Sequence, residues 1–194
     1  MNKARLEAFS DGVMAIIITI MVLEIKVPHQ PTLSALKPLI PVFLSYVLSF
    51  MYVAIYWGNH HHLFHTLHRV NGRVIWANLL LLFGLSLIPF STGFMAENHF
   101  AQLPVAIYAG NLLLCAITYY IMQQVIQQQH QQPTPLSVAL GRQEKKGLIS
   151  LAGYVVAMVA AFWLPLISGI IFLSVAIWWI IPDKNIEAAL DTMH

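Results

Sequence analysis

From Val74 to Met95, and again from Leu103 to Ile126, the chain carries no charged side chain. About twenty apolar residues, at a rise of ~1.5 Å each, cross a hydrocarbon core of about 30 Å, so these runs have the length of membrane-spanning helices. Inside a bilayer every backbone N–H and C=O needs a partner within the protein, and uninterrupted apolar runs of this length meet that need as helices. The rest of the 194-residue chain agrees: 58% of it is hydrophobic and only 9% charged, far from a soluble composition. A net charge of +2 with no dense basic patch gives no support for a nucleic-acid partner. The lone Cys115 sits inside an apolar run and implies neither a disulfide framework nor a metal cluster.

Six spans are expected, at about 5–27, 38–64, 74–95, 103–126, 147–164 and 166–181. Pro28 should stop the first, Pro38 and Pro41 are tolerable near the first turn of the second, and Pro89 should kink the third or loosen its last turns. Lys3 and Arg5 ahead of an apolar stretch imitate a signal peptide, but Glu7 and Asp11 interrupt the run and no small-x-small site follows Leu23. The segment is therefore expected to be retained. The polar stretch from Gln127 to Lys146 reads as a loop. Leu148 to Ile181 as one straight helix would measure roughly 50 Å, too long for one crossing, so a hairpin is expected with its turn at Pro165 and Ser168-Gly169.

An even number of spans puts both termini on one side. Lys3, Arg5, Arg69, Arg73, Arg142, Lys145, Lys146 and Lys184 fall on that side, against Lys26 and Lys37 on the other, so the termini are expected to be cytoplasmic in a multi-pass protein of the cell membrane. No internal repeat and no separate soluble domain is visible, and residues 1–194 read as one unit.

Ionisable residues inside a span are costly, which makes each a functional candidate. Asp11 lies about two turns into the first span. At 100° per residue Ile16, Ile20 and Leu23 form a narrow stripe with Thr19 on its border, and Asp11 is turned well over 90° away. Aliphatic residues at this spacing occur in any bundle helix, and periodicity does not separate lipid-facing from pore-facing. In the third span Asn78 needs a polar partner, and Ser10, Asp11 and His60 lie at comparable depth, so a hydrogen-bonded cluster of these four is expected beside the alternative that Asn78 bonds only to backbone or headgroups. His61, His65 and His68 share one helical face at i, i+4 and i+7. That spacing would suit zinc, but no carboxylate or cysteine accompanies them nearby, and simple solvation at the helix exit is the preferred reading; no metal site is assigned. Tyr119, Tyr120, Trp178 and Trp179 read as interfacial or packing aromatics. No nucleophile elbow, phosphate loop or His-Glu-x-x-His motif is present, so the chain is not expected to be an enzyme; an intramembrane hydrolase using Ser10, Asp11 or His60 is the weakest reading.

Arg5-x-x-x-Phe9-Ser10-Asp11-Gly12-Val13-x-Ala15-Ile16-x-x-Thr19 resembles the signature of the transmembrane protein 175 family of potassium channels. Trp57-x-x-His60 with Leu63-Phe64 is similar to that family's second helix, and Asn78 with Pro89-Phe90 to its third. The second half of the chain offers no such motif. The resemblance implies an all-α integral membrane protein with six transmembrane helices per subunit, the first lining a central pore, without a Thr-Val-Gly-Tyr-Gly filter. It implies a constriction at Ile16, with further rings at Ile20 and Leu23, and a hydroxyl from Thr19 beside it. Arg5, Ser10, Asp11, Trp57, His60 and Asn78 would form a structural polar network holding the pore helix. A chain with one six-helix unit would assemble as a homotetramer in the lipid bilayer, passing potassium with no cofactor. The runner-up is a proton-coupled secondary transporter in which Asp11 and His60 relay protons.

Overall fold

The computed structural model describes residues 2–129 and 135–180. Helix α1 spans Lys3–Leu23, and the Asn2 side chain caps it by accepting from the Arg5 N–H at 2.9 Å. It ends four residues before the expected boundary at Val27. Glu24-Ile25-Lys26 brings two charges to the exit, and the Glu24 N–H closes the last turn on the Met21 and Val22 carbonyls.

The second crossing begins earlier than expected. A short helix α2 (Leu33–Leu36), capped by Thr32, runs through a 3₁₀ turn at Lys37–Leu39 into α3 (Ile40–His65), with the prolines in first turns where a missing N–H costs nothing. The third run is two helices, α4 (Gly72–Ser86) and α5 (Ile88–Glu97), broken at Leu87 just ahead of Pro89. Helix α6 spans Gln102–Gln127.

The segment expected as a loop up to Lys146 is largely helical. Helix α7 runs Pro135–Ala160, while residues 130–134 of that loop lie outside the described residues. Its polar residues Gln143 and Glu144 are held by tertiary bonds: Tyr120 Oη and Gln124 Nε2 donate to Glu144 Oε1 at 3.2 and 3.0 Å, and Gln143 Nε2 donates to Asn59 Oδ1 at 2.9 Å. Polarity there reflects docking on α6 and α3 rather than a turn.

Helix α8 is Pro165–Ile180. The turn between α7 and α8 occupies 161–164, with Pro165 opening the next helix; Ser168 and Gly169 are inside α8, not in the turn. Ser168 instead donates to the Ala157 carbonyl at 2.7 Å and staples the hairpin. Residue 181 of the expected last span lies outside the described residues.

Four stretches have the length and composition to cross a membrane: Lys3–Leu23, Leu33–His65, Gly72–Glu97 and Gln102–Gln127. Pro165–Ile180 is apolar but shorter. Helix α6 packs on both α4 and α7, α7 on α8, and α1 sits against α3, α4 and α5. Helix α4 approaches α6 so closely at Gly84 that an added Cβ would stand 3.3 Å from Cys115 Sγ. Small residues at such crossings are how helices gain contact in lipid, where burial of apolar surface gives no net drive to associate.

The turn from α5 into α6 holds His99 and Phe100 at φ 51° and 62°, the left-handed region that favours glycine. The conformation delivers the Phe100 ring to α8, where a Cβ on Gly169 would come within 3.0 Å of it. His99→Gly should relieve the backbone cost, roughly 1 kcal/mol, and raise the thermal unfolding midpoint of the purified protein. A lowered midpoint would show that the His99 side chain, rather than the backbone, governs this turn.

Candidate functional site

The N-terminal half of α1 carries the densest set of interhelical polar contacts to the first helix. Ser10 is fully buried, as are His60 on α3 and Asn78 on α4. Asn78 Nδ2 donates to Ser10 Oγ at 2.9 Å, Ser10 Oγ donates to the Leu6 carbonyl at 2.9 Å, and His60 Nε2 lies 2.8 Å from Asn78 Oδ1. Since a carboxamide oxygen only accepts, this assignment puts the His60 proton on Nε2 and leaves Nδ1 as a lone pair without a partner among the described residues. The His60 ring stacks on Phe64 at 4.0 Å between centroids. Three helices are thus joined through one amide.

Asp11 is not part of that cluster. It accepts from Trp57 Nε1 at 3.0 Å, one turn before His60 on α3, and both partners are partly open to the surroundings. Arg5 is exposed; its backbone N–H meets Asn2, and its guanidinium makes no hydrogen bond or ion pair with another described residue. The four-residue cluster expected from depth therefore resolves into Ser10, His60 and Asn78, with Asp11 and Trp57 as a separate pair. The reason is angular: Ser10 and Asp11 are 100° apart on α1 and meet different neighbours.

Helix α1 turns Leu6, Ser10, Met14, Ile17 and Met21 into the rest of the chain. The neighbouring face, turned roughly 110° from it at 100° per residue, carries Ile16, Ile20 and Leu23, which are 58, 44 and 79% exposed. Thr19, also exposed, spends its hydroxyl proton on the Ile16 carbonyl at 2.9 Å, which leaves the oxygen's lone pairs available. An open groove of about 590 Å³ flanks this face, between α1 and the α4–α5 break, with Ile16, Ile20, Glu24, Phe90 and Glu97 among its walls.

Sequence reasoning passed over several polar residues. Ser49 on α3 bonds Thr92 on α5 at 2.7 Å and Tyr108 on α6 at 2.9 Å, while Asn111 Nδ2 donates to Ser91 Oγ at 3.0 Å. This second buried layer holds the helices around the break at Leu87. Its signal was present, since each is a polar side chain within a span, but small hydroxyls carry no charge to draw notice. Beyond the end of α1, Lys26 pairs with Glu97, the last residue of α5, at 2.6 Å; that hydrogen bond, then the carboxylate's charge, lifts the ammonium's pKa above its ordinary value. Both side chains are largely exposed, so the pair adds little stability.

The histidines at the end of α3 differ from expectation in two respects. His68 lies beyond the last helical residue, His65, so the three do not share a face. A carboxylate is nearby after all: Glu7 Oε1 of α1 stands 3.1 Å from His61 Nδ1. Among the described residues no group of three or more His, Cys, Asp or Glu side chains is gathered for a metal ion.

Membrane-length helices, joined through buried polar bonds rather than by apolar burial alone, define an all-α, multi-pass membrane protein. The sequence profile of the family described as endosomal/lysosomal potassium channel TMEM175 matches residues 5–89. A protein of a Chryseobacterium species named as a potassium channel is 50% identical over 190 residues, covering 98% of each chain. Another potassium channel, from Chamaesiphon minutus, is 39% identical over 127 residues, 61% of this chain and 63% of that one. The crystal structure of a lysosomal potassium-selective channel TMEM175 homolog from Chamaesiphon minutus superposes with a TM-score of 0.79 at 30% identity, over 91% of this chain and 95% of that one. The chain belongs to the TMEM175 family and has its channel fold.

Asn78→Ala removes the shared acceptor and leaves His60 Nε2 buried without a partner, which should cost about 1–3 kcal/mol. Ser10→Ala should cost less, because only one side of the amide is lost. Comparing the two thermal midpoints in one detergent checks the order; equal midpoints for both variants and the parent would remove the cluster's structural role.

Proposed function

We infer that this chain is a potassium channel whose pore is lined by the first helices of several copies, with a hydrophobic constriction at Ile16, Ile20 and Leu23. The observation that carries the reading is the division of α1: its interhelical polar bonds all go to α3 and α4, while its aliphatic stripe is left uncovered by the chain itself. A stripe of this kind suits a symmetry axis, where equivalent stripes meet around a narrow path. The relatives named as potassium channels, one of them covered along nearly its whole length, support potassium as the permeant ion.

The physics of such a constriction is dewetting. An ion passing aliphatic rings sheds part of its water with no carbonyl oxygens in exchange. Potassium binds water less strongly than sodium, so its barrier is lower, and discrimination is moderate because the rings oppose every ion. Thr19 offers oxygen lone pairs beside the first two rings. Asp11 with Trp57, and Ser10 with His60 and Asn78, set the rotation of α1 so that its stripe meets the axis; Arg5 stands at the helix entrance. No cofactor is required, and no chemical step is catalysed.

Four copies make the assembly, each contributing one six-helix unit over residues 1–194, and the groove beside α1 gives room for a neighbour's side chains. The positive-inside bias supports cytoplasmic termini in the cell membrane. In keeping with it, the start of α1 lies by the end of α3 through Lys3 Nζ to the His65 carbonyl at 3.3 Å, and the end of α6 by Arg69, whose N–H donates to Gln129 at 3.2 Å. The carrier reading has no support: Asp11 and His60 bond to Trp57 and Asn78 and not to each other, and the relatives above are named channels.

Purified protein in liposomes should pass potassium down its gradient without a coupled substrate, and faster than sodium. Ile16→Asn should wet the constriction and bring the two fluxes together. Unchanged discrimination in that variant would move the constriction elsewhere, and absence of potassium flux in the parent would overturn the channel reading. Asp11→Ala should reduce assembled protein, whereas Asp11→Asn, which keeps an acceptor for Trp57, should largely restore it; size-exclusion profiles distinguish them.

A further inference from the structure

Conduction leaves one group of side chains near the start of α1 without a role. His61 and His65 stand one turn apart on α3, and their Nε2 atoms face each other at 3.1 Å. Glu7, reaching across from α1, places Oε1 3.1 Å from the other nitrogen of His61, Nδ1. An ionised carboxylate only accepts, so His61 carries its proton on Nδ1, and its Nε2 presents a lone pair towards His65.

Two imidazole nitrogens bound to one tetrahedral zinc ion at about 2.0–2.1 Å stand roughly 3.3–3.4 Å apart. The observed separation is within a few tenths of an ångström of that bite. The hydrogen bond from a carboxylate to the far nitrogen of a ligating histidine is also the usual outer partner of such sites, fixing the tautomer and raising the basicity of the ligand. We propose that His61 and His65 chelate a divalent transition-metal ion through their Nε2 atoms, with Glu7 as the positioning residue that orients His61.

Without metal, the two rings share a proton between their Nε2 atoms. Binding requires His65 to yield that proton to water. The described residues gather no third ligand, so water completes the coordination and the ion exchanges readily. Access is open, since the His61 side chain is 47% exposed. A pair of imidazoles selects zinc, nickel or copper over magnesium and calcium. A bound ion ties the His61–Glu7 contact, and with it α1, more firmly to α3, next to the Asp11–Trp57 pair.

The test is calorimetric titration of Zn²⁺ alone into the assembled full chain, prepared without a polyhistidine tag. One ion per chain is expected. His61→Ala and His65→Gln should each weaken uptake at least tenfold, Glu7→Gln should weaken it about 10–100-fold, and His68→Ala should leave it unchanged. The assembled size of every variant is checked first by size exclusion. A second measurement needs no variant: Co²⁺ titrated into the parent should bind one ion per chain, and Zn²⁺ should displace it. Equal Zn²⁺ affinity in the parent, His61→Ala and His65→Gln would overturn the site, as would a parent that takes up neither ion. None of these readouts depends on ion flux, so failure here leaves the channel reading standing, and failure of that reading leaves the metal site standing.

Discussion

The amide of Asn78 is the interaction on which the arrangement of the first half of the chain depends. Helices in a bilayer gain little from burying leucine against leucine, because lipid is as apolar as the neighbouring helix. What distinguishes one rotation of α1 from another is therefore the polar bond it makes. Asn78 meets Ser10 with its donor and His60 with its acceptor, which fixes α1 and α3 against α4 at one depth. Interhelical bonds of this kind are worth only about 0.6–2 kcal/mol each. Their weight lies in direction: with Ser10 turned inward, Met14, Ile17 and Met21 follow it into the subunit, and Ile16, Ile20 and Leu23 face outward.

A second constraint acts around the middle of the bundle. Pro89 cannot donate a backbone hydrogen bond, and the third run breaks into α4 and α5 at Leu87. A break inside a membrane exposes backbone groups that need partners, and the hydroxyl layer of Ser49, Thr92 and Tyr108 lies beside it, with Ser91 and Asn111 paired next to it. Thr92 itself returns its proton to the Ile88 carbonyl at 2.7 Å. Helix α5 packs against α1 as well as α3 and α6, so the break shapes one wall of the groove beside the aliphatic stripe. In the conducting reading this is where a widening of the constriction would have room to occur.

The second half of the chain plays a supporting part. Helix α6 is the only helix among the described residues that packs on α4, α5, α7 and α8, and α7 and α8 close on it as a stapled hairpin. Here the sequence was least informative. The polar residues from Gln127 onward gave a loop by composition, yet Glu144 and Gln143 are held by Tyr120, Gln124 and Asn59, and the segment from Pro135 is helical. Composition registers that a residue avoids lipid; it does not register whether water or another helix receives it. The same limit applies to Ser168-Gly169, read as turn residues and found inside α8, where Ser168 reaches a carbonyl on α7.

The sequence by itself determined that the chain is a helical membrane protein with four runs of crossing length and that a proline interrupts the third, and it grouped Ser10, Asp11, His60 and Asn78, of which Ser10, His60 and Asn78 do meet. These follow from local physics: hydrocarbon tolerates no unpaired backbone, and a polar side chain within a span needs a partner. It also recovered the spacing of Ile16, Ile20 and Leu23, but not whether they face the subunit, the lipid or an axis, because a periodic pattern has no origin. Only the tertiary structure turned that stripe away from the chain's own core, separated Asp11 from the amide cluster by handing it to Trp57, and brought Glu7 beside His61. The last two join residues 46 and 54 positions apart in sequence, and no property of either partner alone specifies which neighbour packing will supply.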